Sequence, residues 1–283
     1  MYNKTRKELF TMALLMNEEH EFLFDYSDVG IPKTVTLSSY STGMEQLRLS
    51  SDNLTKVMIK DILPQVIDPK IDVRKLMEPD YYLLLRHLRI LTWGPFYTVG
   101  SFFCKDCVNT NGNKGKLYEQ PKQINLGSIG VLCPEKPEDL VTTWKISKDE
   151  FVFLDADVTI HMNRCADLTL INSTKVKNDA DRALIPIAAS IQSVTGEEFV
   201  EIHEALEWLK SLAPVDSQII RDAYAEHFNV GLQNRAEFEC PTCGGAAWSY
   251  VPINDNYFRP TKEDIREWKR LLAGSKKSVR PGK

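Results

Sequence analysis

Two cysteine pairs carry the clearest chemistry in the sequence: Cys104-Lys105-Asp106-Cys107 and Cys240-Pro241-Thr242-Cys243. A C-x-x-C spacing lets two thiolates from one tight turn reach a metal ion at about 2.3 Å. Two such pairs complete a tetrahedral four-thiolate site, and zinc held by Cys104, Cys107, Cys240 and Cys243 is the expected occupant. A site of that kind has no open coordination position, so it supplies folding energy and not catalysis. Gly244 relieves the turn as the chain leaves the last ligand. The competing reading is two separate reducible thiol pairs. A redox C-x-x-C normally precedes a helix, whereas strand-like text follows both pairs here. Cys133 and Cys165 read as buried core thiols, with Cys133, next to Pro134, the one residue able to replace a ligand.

The elements around these pairs imply an α+β fold. The 132 residues between Cys107 and Cys240 exceed the spacing of a single zinc ribbon, so the expected architecture is a split ribbon with a domain inserted between its arms. The expected divisions are a helical and strand region over 1–94, the ribbon over 95–133 plus 235–260, an inserted α+β domain over 134–234, and a last helix with a basic tail over 261–283. Leu9 to Met16 suggests an amphipathic helix. Two extended segments, 33–37 and 45–49, flank a Ser-Thr-Gly turn. A helix capped by Ser51 or Asp52 ends at Pro64. Another starts at Pro79-Asp80 and closes at Gly94-Pro95, followed by a strand over 96–99. Phe151-Val152-Phe153-Leu154 reads as a buried strand, and Val158, Ile160 and Met162 alternate as a half-buried one. A helix from Asp179 breaks or kinks near Pro186. Thr195-Gly196-Glu197-Glu198 fits a capping box ahead of a helix. Asp216 caps a further helix that Gly231 closes. A strand spans 247–251, and a helix from Thr261, with Asp264 three residues on, stops at Gly274. The text around the two cysteine pairs carries a weak internal two-fold, with Gln123-Ile124-Asn125 echoed by Pro252-Ile253-Asn254.

Composition narrows the function. The chain has 283 residues, 43% hydrophobic and 26% charged, enough for a sizeable core. Its 35 basic and 39 acidic residues leave a net charge of -4, whereas a dedicated duplex-DNA binder carries a basic excess. Nothing reads as a membrane span or a cleavable signal, and C-x-x-C pairs without one point to synthesis in the cytosol. Asp155-Ala156-Asp157 after an apolar run resembles the metal-diphosphate motif of nucleotide-sugar glycosyltransferases. The repeated strand-helix units of a nucleotide-binding half are missing before it, and Asp is common in turns. The five histidines do not cluster. Arg86 and Arg89 read as a solvated face or a carboxylate clamp. Trp248, Tyr250, Tyr257 and Phe258 read as core or interface, with nucleobase stacking the alternative.

Several stretches together resemble the baseplate hub proteins of T-even-type bacteriophages. They are Asp80-Tyr81-Tyr82-Leu83-Leu84-Leu85-Arg86, Leu88-Arg89, Trp93-Gly94-Pro95-Phe96-Tyr97 and the Cys104 pair. Further on come Ile191-Gln192-Ser193-Val194-Thr195-Gly196, Leu209-Lys210-Ser211-Leu212, the Cys240 pair and Tyr257-Phe258-Arg259-Pro260. The resemblance covers about 33–260 and rests on order and spacing. It implies a non-enzymatic protein of a contractile tail, built into the baseplate or needed to assemble it, with the four cysteines as metal ligands. Its partners would be other baseplate and tail proteins, with no small-molecule substrate, and it would reside in the virion after assembly in the host cytoplasm. Tyr82, Arg86, Arg89, Trp93, Tyr97, Trp248, Tyr257 and Phe258 are then the interface candidates. A zinc-ribbon nucleic-acid-binding regulator is the alternative, and a transferase using Asp155 and Asp157 the third reading.

Overall fold

A computed structural model describes residues 17–134, 140–176, 178–199 and 201–278. The amphipathic segment 9–16 and the end of the basic tail lie outside these residues. The chain is α+β, as its mixed periodicities imply. Strands β1 (Asn17–Glu21), β2 (Thr34–Ser38) and β3 (Ile67–Asp68) form an antiparallel sheet in that order. Helix α1 (Thr42–Leu49) follows β2, then α2 (Leu54–Val57), a π-helical stretch Met58–Ile62 and α3 (Leu63–Val66). Helix α4 (Glu78–Trp93) leads into β4 (Phe96–Val99), β5 (Phe102–Val108), β6 (Lys114–Tyr118), β7 (Lys122–Asn125) and β8 (Val131–Leu132). Next come β9 (Thr143–Ile146), β10 (Val158–His161), α5 (Cys165–Ser173), α6 (Asp179–Ser190), β11 (Ile191–Val194) and β12 (Glu197–Glu198). Helices α7 (Ile202–Ser211) and α8 (Pro214–His227) precede β13 (Gly231–Leu232), β14 (Arg235–Glu239), β15 (Ala246–Tyr250) and α9 (Lys262–Ser278). The remaining strands form two four-stranded sheets, β12-β11-β10-β9 and β14-β15-β5-β6, and two two-stranded pairs, β13-β8 and β4-β7.

Helix α4 is the centre of the packing. Its Tyr81, Leu84, Leu85, Leu88 and Leu91 belong to one continuous core that runs from Phe22 to Phe258 and includes Ile146, Val158 and Ile220 of the segment between the cysteine pairs. Two charged side chains of α4 are wholly buried. Asp80 accepts the Leu23 N–H at 2.7 Å, the Phe24 N–H at 3.2 Å and the Tyr26 hydroxyl at 2.8 Å. Arg89 donates to the carbonyls of Tyr257 at 2.8 Å, Gly94 at 2.8 Å and Phe96 at 3.0 Å. Asp80 is thus held by two backbone N–H groups and a hydroxyl, and Arg89 by three backbone carbonyls, which satisfies groups that are costly to bury bare. At the other end of the chain, Thr261 and Asp264 form the expected reciprocal cap: the Thr261 N–H donates to Asp264 at 2.9 Å, and the Asp264 N–H donates to Thr261 Oγ1 at 3.1 Å. Thr98 and Gln123 also donate to Asp264, so α9 is pinned to the β4-β7 pair.

Several expectations are corrected. Residues 45–49 are helical: Ser41 caps α1, and Glu45 and Arg48, three apart, pair at 2.6 Å. The helix before Pro64 does not stop there, because the π-helical stretch precedes a last turn that holds Pro64 near its start, where a missing N–H is tolerated. Residues 151–154 form no strand. Val152 and Phe153 are 60% and 75% exposed, and their N–H groups go to Asp216 instead of a neighbouring strand. Thr195 and Gly196, both at positive φ, make a two-residue hairpin turn between β11 and β12. Helix α7 starts later, with Glu201 and Glu204 as its capping box. Helix α6 runs through Pro186 without interruption. Asp216 lies inside the first turn of α8, and Gly231 lies in β13 against Pro79. Helix α9 passes Gly274, since a lone glycine costs only about 1 kcal/mol in a helix.

Replacing Arg89 with Met keeps most of the buried volume but strands three carbonyls. Arg89→Met should lower unfolding stability by about 3 kcal/mol or more, read as a fall in the urea midpoint at unchanged slope.

Candidate metal centre

The four cysteines of the two pairs converge at one end of the β14-β15-β5-β6 sheet. Their sulfurs all lie within 4.8 Å of one another. Cys104 and Cys243 are 3.5 Å apart and Cys107 and Cys240 are 3.8 Å apart, and none is in a disulfide. Four sulfurs at about 2.3 Å from one ion stand about 3.8 Å from each other. The spacing therefore fits a tetrahedral thiolate site, and the donor set fits a soft or borderline ion such as zinc.

Local sequence explains the convergence. Cys104 and Cys107 both lie in β5, which pairs regularly with β6 at Cys104–Lys116 and irregularly before Val108. That slip brings Cys104 and Cys107 to the same side. Cys240 and Cys243 occupy the turn between β14 and β15. The Cys240 N–H donates to the Gly245 carbonyl at 2.7 Å, and the Gly244 N–H to the Cys240 carbonyl at 2.9 Å. Gly244 has φ +72°, the left-handed conformation expected as the chain leaves the ligand turn. A Cβ on Gly245 would stand 2.4 Å from Asp106 Oδ2, which accepts the Ala246 N–H at 3.2 Å and joins β5 to the ligand turn. Phe102, Ala247, Tyr118 and Phe238 pack around the sulfurs, leaving only Cys243 exposed.

Crowding perturbs the thiols. Burial pushes Cys240 up, but the N–H groups of Cys243 and Thr242 and the neighbouring thiols outweigh it and bring the group down to about 6. For Cys243 the Gly245 N–H pulls down, while Cys107 and Cys104 push harder in the other direction, to about 12. Four thiolates in contact repel, so one proton is released easily and another is held. A divalent cation bound there would replace those protons.

The other candidates are placed as follows. Arg89, Tyr97, Tyr257 and Phe258 are 0%, 7%, 1% and 0% exposed. They are corrected from interface to core: Arg89 is spent on three carbonyls and the rings pack on one another. Tyr82, Arg86, Trp93 and Trp248 are half-buried. Arg86 donates to the Ile129 carbonyl at 3.0 Å and Trp93 to the Tyr40 hydroxyl at 2.9 Å, so the arginines form neither a solvated face nor a carboxylate clamp. Cys165 is buried as expected, but Cys133 is exposed and lines a separate cavity of about 740 Å³ with Phe22, Leu23 and Lys33. Asp155 and Asp157 are paired with Lys148 at 3.3 Å and Lys145 at 2.6 Å, as turn carboxylates. No helix among the described residues is long and apolar enough to cross a membrane.

Sequence reasoning missed one titrating group. Burial raises the Glu78 carboxyl to about 7, against the pull of hydrogen bonds from Tyr82 and Asn163. A glutamate beside a proline at a helix start gives no hint of this, because the burial that raises it is imposed by distant parts of the fold.

Two outcomes follow. The purified chain should carry one zinc per molecule, and cobalt exchanged into it should show the intense absorption of a tetrahedral thiolate site. Cys104→Ser should abolish both and lower the melting temperature, whereas Cys133→Ser should leave all three unchanged. Glu78 is stabilising when protonated. Its contribution is fully present below the ordinary glutamate range and is lost as pH rises through about 7. Glu78→Gln should therefore be progressively favoured over the native chain from pH 5 to pH 7.5 and gain little further above that, measured by thermal melts across pH. Comparison with known proteins finds no matching family model, no matching curated protein and no matching solved structure.

Proposed function

We propose that this chain is a structural or assembly component of the baseplate hub of a contractile-tail bacteriophage. It acts by protein–protein binding around a structural zinc ion and not by catalysis. The observation that supports a structural role over a catalytic one is the four-cysteine cluster, a donor set that closes completely on one ion and leaves no position for a substrate. The two turns are read as the knuckles of a split zinc ribbon. The resemblance of 33–260 to hub proteins supplies the setting, and the partners are other baseplate and tail proteins.

A nucleic-acid-binding regulator is the second reading. It draws on Phe103, Trp248 and Tyr250, adjacent rings on the outward face of the cysteine sheet, the last 65% exposed. The same face carries Glu237 paired to Arg235 at 3.0 Å, and mixed charge of that kind suits a protein better than a phosphate backbone. Retention on heparin that falls steeply with salt supports the second reading.

Mass spectrometry of purified particles beside the unassembled lysate fraction tests the first. A fixed, low copy number in particles identifies a structural component. Presence only in the unassembled fraction identifies an assembly factor. A chain that co-fractionates with neither particles nor baseplate intermediates sinks the proposal.

A further inference from the structure

The loop 147–157 is braced more heavily than a connection requires. Ser147 and Glu150 form a reciprocal cap, and the Phe151 N–H donates to the Lys148 carbonyl at 3.2 Å. Asp157 accepts the Lys148 N–H at 2.9 Å and pairs with Lys145, while its own carbonyl accepts the Thr195 N–H at 2.7 Å. At the tip, Asp216 accepts the Val152 N–H at 2.8 Å and the Phe153 N–H at 3.1 Å. Asp216 is 1% exposed. A buried carboxylate is costly unless hydrogen-bonded, and the groups it binds here belong to a tip that contributes little to the core.

What this bracing holds is two side chains in water. Phe151 and Leu154 turn back to pack on the core, while Val152 and Phe153 between them are 60% and 75% exposed. Phe153 is the most exposed of the large apolar side chains in the described residues. A rigid loop that holds an aromatic ring outward loses little conformational entropy when that ring is buried by another molecule, which is how binding anchors gain affinity. The charge around the tip selects among occupants. Asp149, Glu150, Asp155 and Asp157 flank it in the chain; Lys148 and Lys145 pair with the last two, which leaves Asp149 and Glu150 as the excess negative charge. An anionic lipid surface or a nucleic acid attracts the opposite sign.

We propose that Val152 and Phe153 form a preorganised knob that inserts into an apolar pocket on a protein partner, a pocket rimmed by lysine or arginine. In the setting proposed above, which this inference deepens, that partner is a neighbouring baseplate chain.

The test is photo-crosslinking of the full chain in the cells where its complexes assemble. One variant is Phe153→p-benzoylphenylalanine. A control places the same residue at Leu49, which is 50% exposed elsewhere. The expected result is an adduct dominated by one protein, at least tenfold above the control, with the crosslink mapped to apolar residues bordered by lysine or arginine. Adding Val152→Asp should reduce that adduct at least tenfold with no change in melting temperature, because the side chain is exposed. Lipid adducts, nucleic-acid adducts, adducts spread over many proteins, no adduct, or a yield indifferent to Val152→Asp each overturn the knob. A dominant partner from outside the baseplate keeps the knob and sinks the hub assignment. A chain present in particles but without an adduct at 153 does the reverse.

Discussion

Four sulfur atoms within 4.8 Å of one another impose the constraint around which the chain is arranged. They belong to two segments separated by 132 residues, so the chain must leave the site, fold, and return to it. Strand pairing alone does part of this, since β15 lies beside β5 at Ala247–Cys104 and Trp248–Phe103. The Asp106 carboxylate, bound to the Ala246 N–H, does another part. Neither removes the mutual repulsion of thiolates. Protons can, by staying on some sulfurs, and the downward shift of Cys240 beside the upward shift of Cys243 describes that compromise. A divalent ion held by the cluster would remove the repulsion for all four at once, and its binding and the closure of the long loop would then be one event.

The intervening residues do not stand apart from what precedes them. Ile146, Val158, Ile160 and Ile191 share one buried cluster with the α4 leucines and with Phe22 and Phe24. Within that cluster, polar contacts decide which parts meet. Asp80 specifies the segment after β1, and Arg89 specifies the segments at Gly94, Phe96 and Tyr257. An apolar contact tolerates sliding, whereas a buried charge with three hydrogen-bond partners has one satisfied arrangement. The cysteine cluster and α4 therefore act in different ways: one gathers the two cysteine pairs at a single point, the other fixes the register of the segments packed on it, out to Tyr257.

Legibility in the sequence followed the range of the interaction. The cysteine pairs, the Thr261–Asp264 cap, the strand at 158–161 and the limits of α4 all depend on residues a few positions apart, and these were readable. The 45–49 segment was misread because its alternation outweighed the Glu45–Arg48 spacing. Thr195-Gly196 was misread because the same residues serve a cap or a hairpin turn, and only strand partners decide between them. Four of the interface candidates, Arg89, Tyr97, Tyr257 and Phe258, are buried for a different reason. Arginine, tyrosine and tryptophan mark binding hot spots, but they also fill cores when their polar ends find backbone partners. Arg89 and Tyr257 are each other's partner across 168 positions, a relation that no local pattern encodes.

Residues 151–154 show the same ambiguity from the other side. Four consecutive apolar residues in a sequence signal burial, and two of them, Phe151 and Leu154, are half-buried against the core. The other two face water because Asp216, more than sixty positions away, takes the N–H groups that a neighbouring strand would otherwise have taken. Had those groups been left to solvent, the tip would gain by collapsing its apolar side chains onto the surface. Hydrogen-bonded to a buried carboxylate, it cannot collapse without leaving that carboxylate unsatisfied, at a cost of the same order as the burial it would gain. The exposed ring is thus maintained by the fold, and that separates a surface shaped for contact from one that merely happens to be apolar.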